Sequence, residues 1–288
     1  MKLGVAGLGL VGRALARRAV AAGLEVAGSD VDPVARVIAR EQDIPVVDDL
    51  HAWRPEALLI AVFDGAQLRE VVDRVLAAPP RPKLILHAVT AEPEVSAELA
   101  ARCAALSVAF LEFPLSGSSA QIAAGEALAL VGATEAVWAH AAPLIAQLAP
   151  EHMHVGGPGA GARAKLATNL ILGLNRTALA EGLLLAEKLG LDGARFLALL
   201  RRSSAYSRAV DVAGPRMVAS EFSPVSRLAQ HRKDLQLILE AAAKAGLDLP
   251  LAKAHEALLA DGEARGKGDL DNVAVIAVLR ERGDHGGS

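Results

Sequence analysis

The chain opens on "KLGVAGLGLVGRALA", which places Gly7, Gly9 and Gly12 directly after a short apolar run and at the start of a helical one. A strand feeding a glycine turn and then a helix is the first half of a βαβ unit. In such a unit the first glycine allows a tight turn. The second lets the backbone approach a pyrophosphate, and the third lets helix and strand pack closely. The helix N-terminus then offers unpaired N–H groups and a partial positive charge to the phosphates. Gly7, Leu8, Gly9, Leu10, Val11 and Gly12 are therefore the expected cofactor-binding loop. Asp30 ends the second apolar run about 20 residues on, where a carboxylate accepts hydrogen bonds from the adenosine ribose and repels a 2′-phosphate. Val31 and Asp32 follow it, and Arg36 and Arg40 lie further along. The expected cofactor is NAD, with NADP as the alternative.

The rest of the first half repeats the alternation. Strand-like runs occupy 2–8, 24–30, 57–62, 83–89 and 107–115, with a further run at 127–132 after an expected hairpin or bulge. Helical stretches such as 11–22 and 66–77 lie between them. Strands alternating with helices imply a parallel sheet covered on both faces. Near residue 156 the pattern changes. "VGGPGAG" reads as a linker, and no strand-like run follows it. Helical spacing without proline runs from Ala162 to Leu189, a helix of roughly 42 Å. Further helices are expected near 192–202, 206–218, 226–246, 250–263 and 271–282, and the terminal "RGDHGGS" is expected to be disordered. The fold class is thus an α/β N-terminal Rossmann dinucleotide-binding domain, residues 1–158, followed by an all-α C-terminal domain, residues 159–288. The long helix is apolar on several faces, which suggests burial between domains or subunits.

Bulk properties exclude several classes of function. The net charge is −3 and the charges are dispersed, so no basic surface tracks a nucleic-acid backbone. No 18-residue apolar stretch lacks charge, so no membrane span is expected. The N-terminal run superficially resembles a signal peptide, but its glycines and the following Arg13, Arg17 and Arg18 fit a first strand better. Cys103 is the sole cysteine, which fits a reducing compartment, and a cytoplasmic location is expected. It reads as a packed residue rather than a nucleophile. "HMH" at 152–154 lacks the cysteine or acidic cluster that would complete a ligand set, so no metal is expected.

Two further segments carry chemistry. "EFPLSGSS" at 112–119 puts Ser116, Gly117 and Ser118 at the end of a strand, where open parallel sheets bind ligands. A Ser-Gly-Ser turn presents hydroxyls and backbone N–H groups suited to a carboxylate, although such runs are often ordinary turns. "GAGARAKLATN" at 159–169 sets Lys165 after Gly159 and Gly161, with Asn169 at i+4 on the same helical face. A lysine in a helix is ordinarily solvated. Here Leu166, Leu170 and Ile171 surround it with apolar positions. The chain uses 22 arginines against 8 lysines, and lysine can surrender its proton near neutral pH where arginine cannot. Burial or a neighbouring cation would favour that loss. Lys165 is therefore a candidate proton-transfer group.

These segments together resemble the β-hydroxyacid dehydrogenase family, which includes 3-hydroxyisobutyrate dehydrogenase and tartronate semialdehyde reductase. "GVAGLGLVG" is similar to the family's glycine-rich opening. "EFPLSGSSAQIAAGEALALVG" resembles its D-A-P-V-S-G-G substrate segment, "GAGARAKLATN" its G-x-G-x-x-x-K-x-x-x-N segment, and "HRKDLQL" at 231–237 its K-D-L segment. The four occur in family order over nearly the whole chain. The resemblance implies Lys165 as catalytic acid/base and Asn169 as its partner in positioning substrate. It implies Ser116, Gly117 and Ser118 at the substrate carboxylate, Thr90 at the cofactor, and Lys233 at cofactor and substrate, with Asp234 orienting that segment. Glu112, Phe113, Ser118 and Val89 depart from the family pattern, and Phe113 and Val89 leave the pocket shape open.

The implied activity is hydride transfer between NAD and a short 3-hydroxy acid. The implied partners are that small molecule and, through the long helix and the family likeness, a second or further copy in a homodimer or homotetramer. An imine-reductase-like enzyme and a non-catalytic cofactor-binding module on the same fold are the alternatives. Relatives of both kinds generally lack the lysine that this chain retains.

Overall fold

The computed structural model describes residues 1–285, which fall into two compact units, Met1–Lys165 and the residues from Leu166 onward. The first unit runs β1 (Lys2–Ala6), α1 (Leu10–Ala21), β2 (Glu25–Ser29), α2 (Pro33–Glu41), α3 (Leu50–Trp53), β3 (Ala57–Ile60), α4 (Gly65–Ala77), β4 (Leu84–His87) and α5 (Pro93–Ala105). It continues through β5 (Ala109–Glu112), β6 (Leu115–Ser116), α6 (Ser119–Ala124), β7 (Leu128–Gly132), α7 (Glu135–Leu148) and β8 (His152–Gly156). The strands form one sheet in the order β2-β1-β3-β4-β5-β7-β6, with β8 also on β7. Pairing is parallel from β2 through β5, antiparallel at β5–β7 and β6–β7, and parallel again at β7–β8.

The chain passes from β1 to β2 on one side and later to β3 on the other, so strand order reverses beside β1. Val46 adds a single parallel bridge to Gly28 outside β2. The sheet thus keeps the dinucleotide-binding order, with its outermost strand reduced to one residue. Successive side chains point to opposite faces and both faces are covered, so these runs are apolar throughout. Leu59, Leu86 and Leu111 enter one buried cluster with Leu15 and Ile145. Leu58, Ile60, Ile85 and Phe110 enter the other with Leu68, Val72, Leu99 and Cys103.

The second unit is helical among the described residues apart from one bridge between Arg227 and Asp271. α8 (Ala160–Lys188) begins in the first unit and continues into the second. α9 (Gly193–Leu200), α10 (Arg208–Val212), α11 (Gly214–Val218), α12 (Leu228–Lys244), α13 (Pro250–Ala264), a 3₁₀ turn (Asn272–Ala274) and α14 (Val275–His285) follow. Their shared core includes Leu183, Leu197, Met217, Leu235, Leu259 and Ile276. No described helix is long and apolar enough to cross a membrane.

Four local expectations need correction. The expected hairpin between 116 and 127 contains α6, closed at its start by a capping box between Ser118 and Gln121. The expected linker near 156 is preceded by β8, whose outer residues His152 and His154 pack on Trp138. A continuous helix over 206–218 is split at Ala213–Gly214, where Pro215 opens a new first turn because it lacks an N–H to donate. Within the terminal segment expected to be disordered, residues 282–285 continue α14, and 286–288 lie outside the described residues.

Candidate active site

The glycine loop has the form a pyrophosphate requires. Gly7 stands at φ +95°, and a Cβ there would collide with the carbonyl oxygen of Ala61 in the loop after β3. A Cβ at Gly12 would collide with the carbonyl of Gly7, so α1 packs against β1 at backbone distance. Beside Gly9 there is open space, and α1 starts with no side chain capping its N–H groups. The residues present therefore fit a dinucleotide phosphate: an uncapped helix end and a backbone approach that a side chain would fill.

Asp30 closes this loop from β2. Its Oδ2 accepts the N–H of Leu8 at 2.5 Å, and its Oδ1 accepts the N–H of Asp32 at 2.9 Å. The Arg13 guanidinium donates to the Leu8 carbonyl at 2.6 Å, so Leu8 is held from both sides. The role of Arg13 was not legible in the sequence, where it reads as one basic residue after the last glycine. Asp32 is spent on the N-cap of α2, accepting from Val34 at 2.8 Å. Arg36 pairs with Asp48 at 3.2 Å. Thr90 lies half-buried in the loop between β4 and α5.

Ser116 ends β6 and Gly117 is exposed at the turn. A Cβ on Gly117 would press on the side chain of Ala127. The Ser118 hydroxyl accepts the N–H of Gln121 at 3.2 Å, and the Gln121 side-chain Oε1 accepts the N–H of Ser118 at 2.9 Å. Ser118 keeps its O–H proton for a ligand, while its backbone N–H is engaged. Ser116 is thus the less committed hydroxyl of the pair. Phe113 and Val89 are both buried, Phe113 in the cluster on one side of the sheet and Val89 in the cluster on the other. Both departures from the family pattern thus take part in core packing.

Lys165 is buried, with 8% of its surface exposed. Its ammonium donates to the Leu115 carbonyl at 2.6 Å, one residue from Ser116. The first unit alone therefore brings the lysine and the serine turn together. Asn169, one turn further along α8, is also buried, and its amide donates to Asp234 Oδ2 at 3.1 Å. Lys233 reaches Asp234 Oδ1 at 3.0 Å, with both side chains largely enclosed. It is not the solvated neighbour pair that adjacent opposite charges in a helix usually form. Glu112, which sequence reasoning noted only as a departure, is wholly buried and accepts the Gly161 N–H at 2.8 Å. Burial pushes its carboxyl above the usual range, against the pull of the Ser96 hydroxyl and the α8 N–H groups. Its signal in the sequence was an acidic residue closing an otherwise apolar strand.

The remaining candidates have structural partners. His154 stacks on Trp138 and bonds the Ala133 carbonyl at 2.9 Å, and His152 bonds the Ala149 carbonyl at 2.9 Å. Among the described residues no group of three or more His, Cys, Asp or Glu could hold a metal. Cys103 is buried, and burial pushes its thiol up to about 11.

Comparison with known proteins agrees with this geometry. Residues 2–156 match the NAD-binding domain of 6-phosphogluconate dehydrogenase, and residues 159–279 match a domain described as the NAD-binding region of NADP-dependent 3-hydroxyisobutyrate dehydrogenase. The 2-hydroxy-3-oxopropionate reductase of Escherichia coli is 30% identical over 99% of both chains. The 2-(hydroxymethyl)glutarate dehydrogenase of Eubacterium barkeri is 28% identical over 98% of this chain and 95% of its own. A crystal structure of 3-hydroxyisobutyrate dehydrogenase from Salmonella typhimurium superposes with a TM-score of 0.86 at 26% identity, covering 96% of this chain and 99% of that one. The uncapped glycine loop and the lysine beside the serine turn therefore sit in a chain that belongs to the β-hydroxyacid dehydrogenase family of NAD(P)-dependent oxidoreductases acting on CH–OH groups.

Proposed function

We propose that this chain interconverts a short 3-hydroxy acid and its aldehyde, with Lys165 as general acid/base. The observation that carries the reading is the Lys165 ammonium buried one residue from Ser116. The names of two relatives, 2-hydroxy-3-oxopropionate reductase and 2-(hydroxymethyl)glutarate dehydrogenase, describe substrates whose reacting oxygen sits on the carbon β to a carboxylate. Ser116, Gly117 and Ser118 would hold that carboxylate. Bound at Gly7–Gly12, NAD supplies the hydride acceptor. Neutral Lys165 takes the hydroxyl proton during oxidation, and protonated Lys165 returns it to the aldehyde oxygen in reduction. Asn169 positions the substrate, and Lys233, fixed by Asp234, adds a cation to the substrate and cofactor contacts. Thr90 contacts the cofactor, and Asp30 favours NAD by accepting from the ribose. Residues 1–158 serve as the dinucleotide-binding domain and 159–288 as the helical domain.

The test is a panel of short 3-hydroxy acids and matched 2-hydroxy acids, scored by NADH formation at alkaline pH. Turnover confined to the 3-hydroxy acids supports the reading. Turnover of 2-hydroxy acids alone, or of cyclic imines alone in the reducing direction, overturns it.

A further inference from the structure

Glu112 closes β5 and is wholly enclosed, a costly place for a carboxylate without a task. Its Oε1 accepts the N–H of Gly161, in the first turn of α8, at 2.8 Å. The N–H groups of Gly159 and Ala162 also bear on it. A carboxylate there complements the positive end of the helix. Three residues further along the chain, at the start of β6, the Leu115 carbonyl accepts from Lys165 Nζ at 2.6 Å. Gly161 and Lys165 are i and i+4, so they lie one above the other on one face of α8. Residues 112–115 thus grip that face twice, once through a backbone N–H and once through the ammonium. The approach leaves no room for adjustment. A Cβ at Gly161 would collide with the Leu130 carbonyl, and a Cβ at Gly132 would collide with the Glu112 carboxyl itself. The Ser96 hydroxyl, bonded to His87 at 3.2 Å, bears on the carboxylate from α5.

We propose that Glu112 is a positioning residue for Lys165: it fixes the first turn of α8 so that the lysine Nζ stands at the Leu115–Ser116 turn. The inference rests on the acid/base reading of Lys165 and adds to it the group that sets the lysine's place. Glu112 is wholly buried and would act through the helix rather than on a ligand. Its removal lets the helix start shift, and a displacement of about 1 Å in a reacting group is worth up to about 100-fold in rate.

The experiment is a double-mutant cycle in the full-length enzyme, with kcat and the KM for each substrate measured in four proteins: wild type, Glu112→Ala, Lys165→Ala and the double variant. Glu112→Ala is expected to lower kcat by about 10–100-fold with the KM for NAD little changed. Glu112→Gln, whose amide oxygen can still accept from Gly161, is expected to restore most of that loss. In the Lys165→Ala background, Glu112→Ala is expected to add less than about threefold, because no lysine remains to be placed. Equal losses in both backgrounds overturn the inference and leave the acid/base reading standing. A Lys165→Ala enzyme with near-normal kcat overturns both, and that single variant identifies this case. Where Glu112→Ala does not fold, Glu112→Asp, one methylene short of Gly161, replaces it in the cycle with the same outcomes.

Discussion

The amide of Asn169 and the ammonium of Lys233 share one carboxylate. Asp234 Oδ2 accepts from Asn169 at 3.1 Å and its Oδ1 accepts from Lys233 at 3.0 Å. Gln230 also donates to Oδ1, at 3.4 Å. Two residues assigned to substrate contact, on α8 and α12, are thus oriented by a third side chain. Asp234→Ala removes the acceptor of a buried amide and the adjacent counter-ion of a largely enclosed ammonium, and is expected to cost about 1–3 kcal/mol of stability. Chemical denaturation measures that cost. The loss in kcat/KM for the hydroxy acid is expected to exceed the loss in NAD affinity. An equal fall in both would show that Asp234 supports the fold without orienting the substrate contacts.

Replacing the lysine tests the chemistry directly. Lys165→Ala is expected to leave NAD affinity nearly intact, because the proposed dinucleotide contacts are Gly7–Gly12 and Asp30. The chemical step is expected to slow by about 10²–10⁴-fold, or roughly 3–5 kcal/mol of barrier. Lys165→Arg keeps a charge that does not leave near neutral pH, so it is expected to rescue little. The rate of alcohol oxidation by the wild-type enzyme is expected to rise with pH until the lysine is neutral, and the rise to vanish in Lys165→Ala. An arginine variant with full activity and the wild-type pH profile would point to an electrostatic role, with Lys233 the next candidate base.

Cofactor choice is proposed to turn on Asp30, and the structure also shows that residue accepting the Leu8 N–H. Wild-type enzyme is expected to prefer NAD in kcat/KM, because Arg36, the nearer of the two downstream arginines, is engaged with Asp48. Asp30→Ala removes the proposed ribose acceptor and also the acceptor for the Leu8 N–H. It is expected to lower kcat/KM with NAD by about 10–100-fold and to relax rejection of NADP. A wild-type preference for NADP would sink the assignment and direct attention to Arg13 and Arg36.

The parts of this site that follow from local rules were legible in the sequence. Gly7, Gly9 and Gly12 announce themselves because a strand-turn-helix with that spacing has few other uses. Lys165 and Asn169 share a helical face by counting alone. Glu112 and Arg13 were not legible in the same way. Their roles depend on which backbone groups lie opposite after folding, here the N–H of Gly161 and the carbonyl of Leu8, and no periodicity encodes that. β8 escaped for a different reason: "HMHV" alternates over only four residues before the glycines, and its histidines are placed by Trp138 on α7. Phe113, between β5 and β6, shows the same limit, because adjacency to the substrate segment does not say which cluster a side chain joins.

One face of α8 leaves apolar groups uncovered. Thr168, Ile171, Asn175, Ala178 and Leu185 are exposed at alternating spacings of three, four and seven, and Leu189 just after the helix continues the line. Ile171 and Leu185 are each 61% exposed and Leu189 is 70% exposed, too much apolar surface on one line for a lone helix in water. The expected state is a homodimer or homotetramer. Light scattering at micromolar concentration checks this, and a mass near 29.7 kDa would contradict it. Leu185→Glu is expected to shift the population toward monomer if this face is the contact.

Acid stability depends on two buried imidazoles. His87 bonds Ser96 and is pushed down to about 3 by burial. His255 bonds Thr177 at 2.8 Å and His231 at 3.1 Å, and is pushed down to about 4 by burial and then by the nearby Arg176 charge. Between those values and 6.5 the unfolded chain holds protons that the native state refuses. Stability therefore rises with pH in this window and is lost as pH falls through it. From pH 7 to pH 5 each histidine is expected to remove about 2 kcal/mol, with the raised carboxyl of Glu112 offsetting part of the loss at the acid end. Guanidinium unfolding at the two pH values measures the change. His255→Gln retains an amide for Thr177 and His231 but does not titrate, so it is expected to lose about half as much stability on acidification. Equal wild-type stability at pH 5 and pH 7 would mean that these rings accept their protons within the native fold.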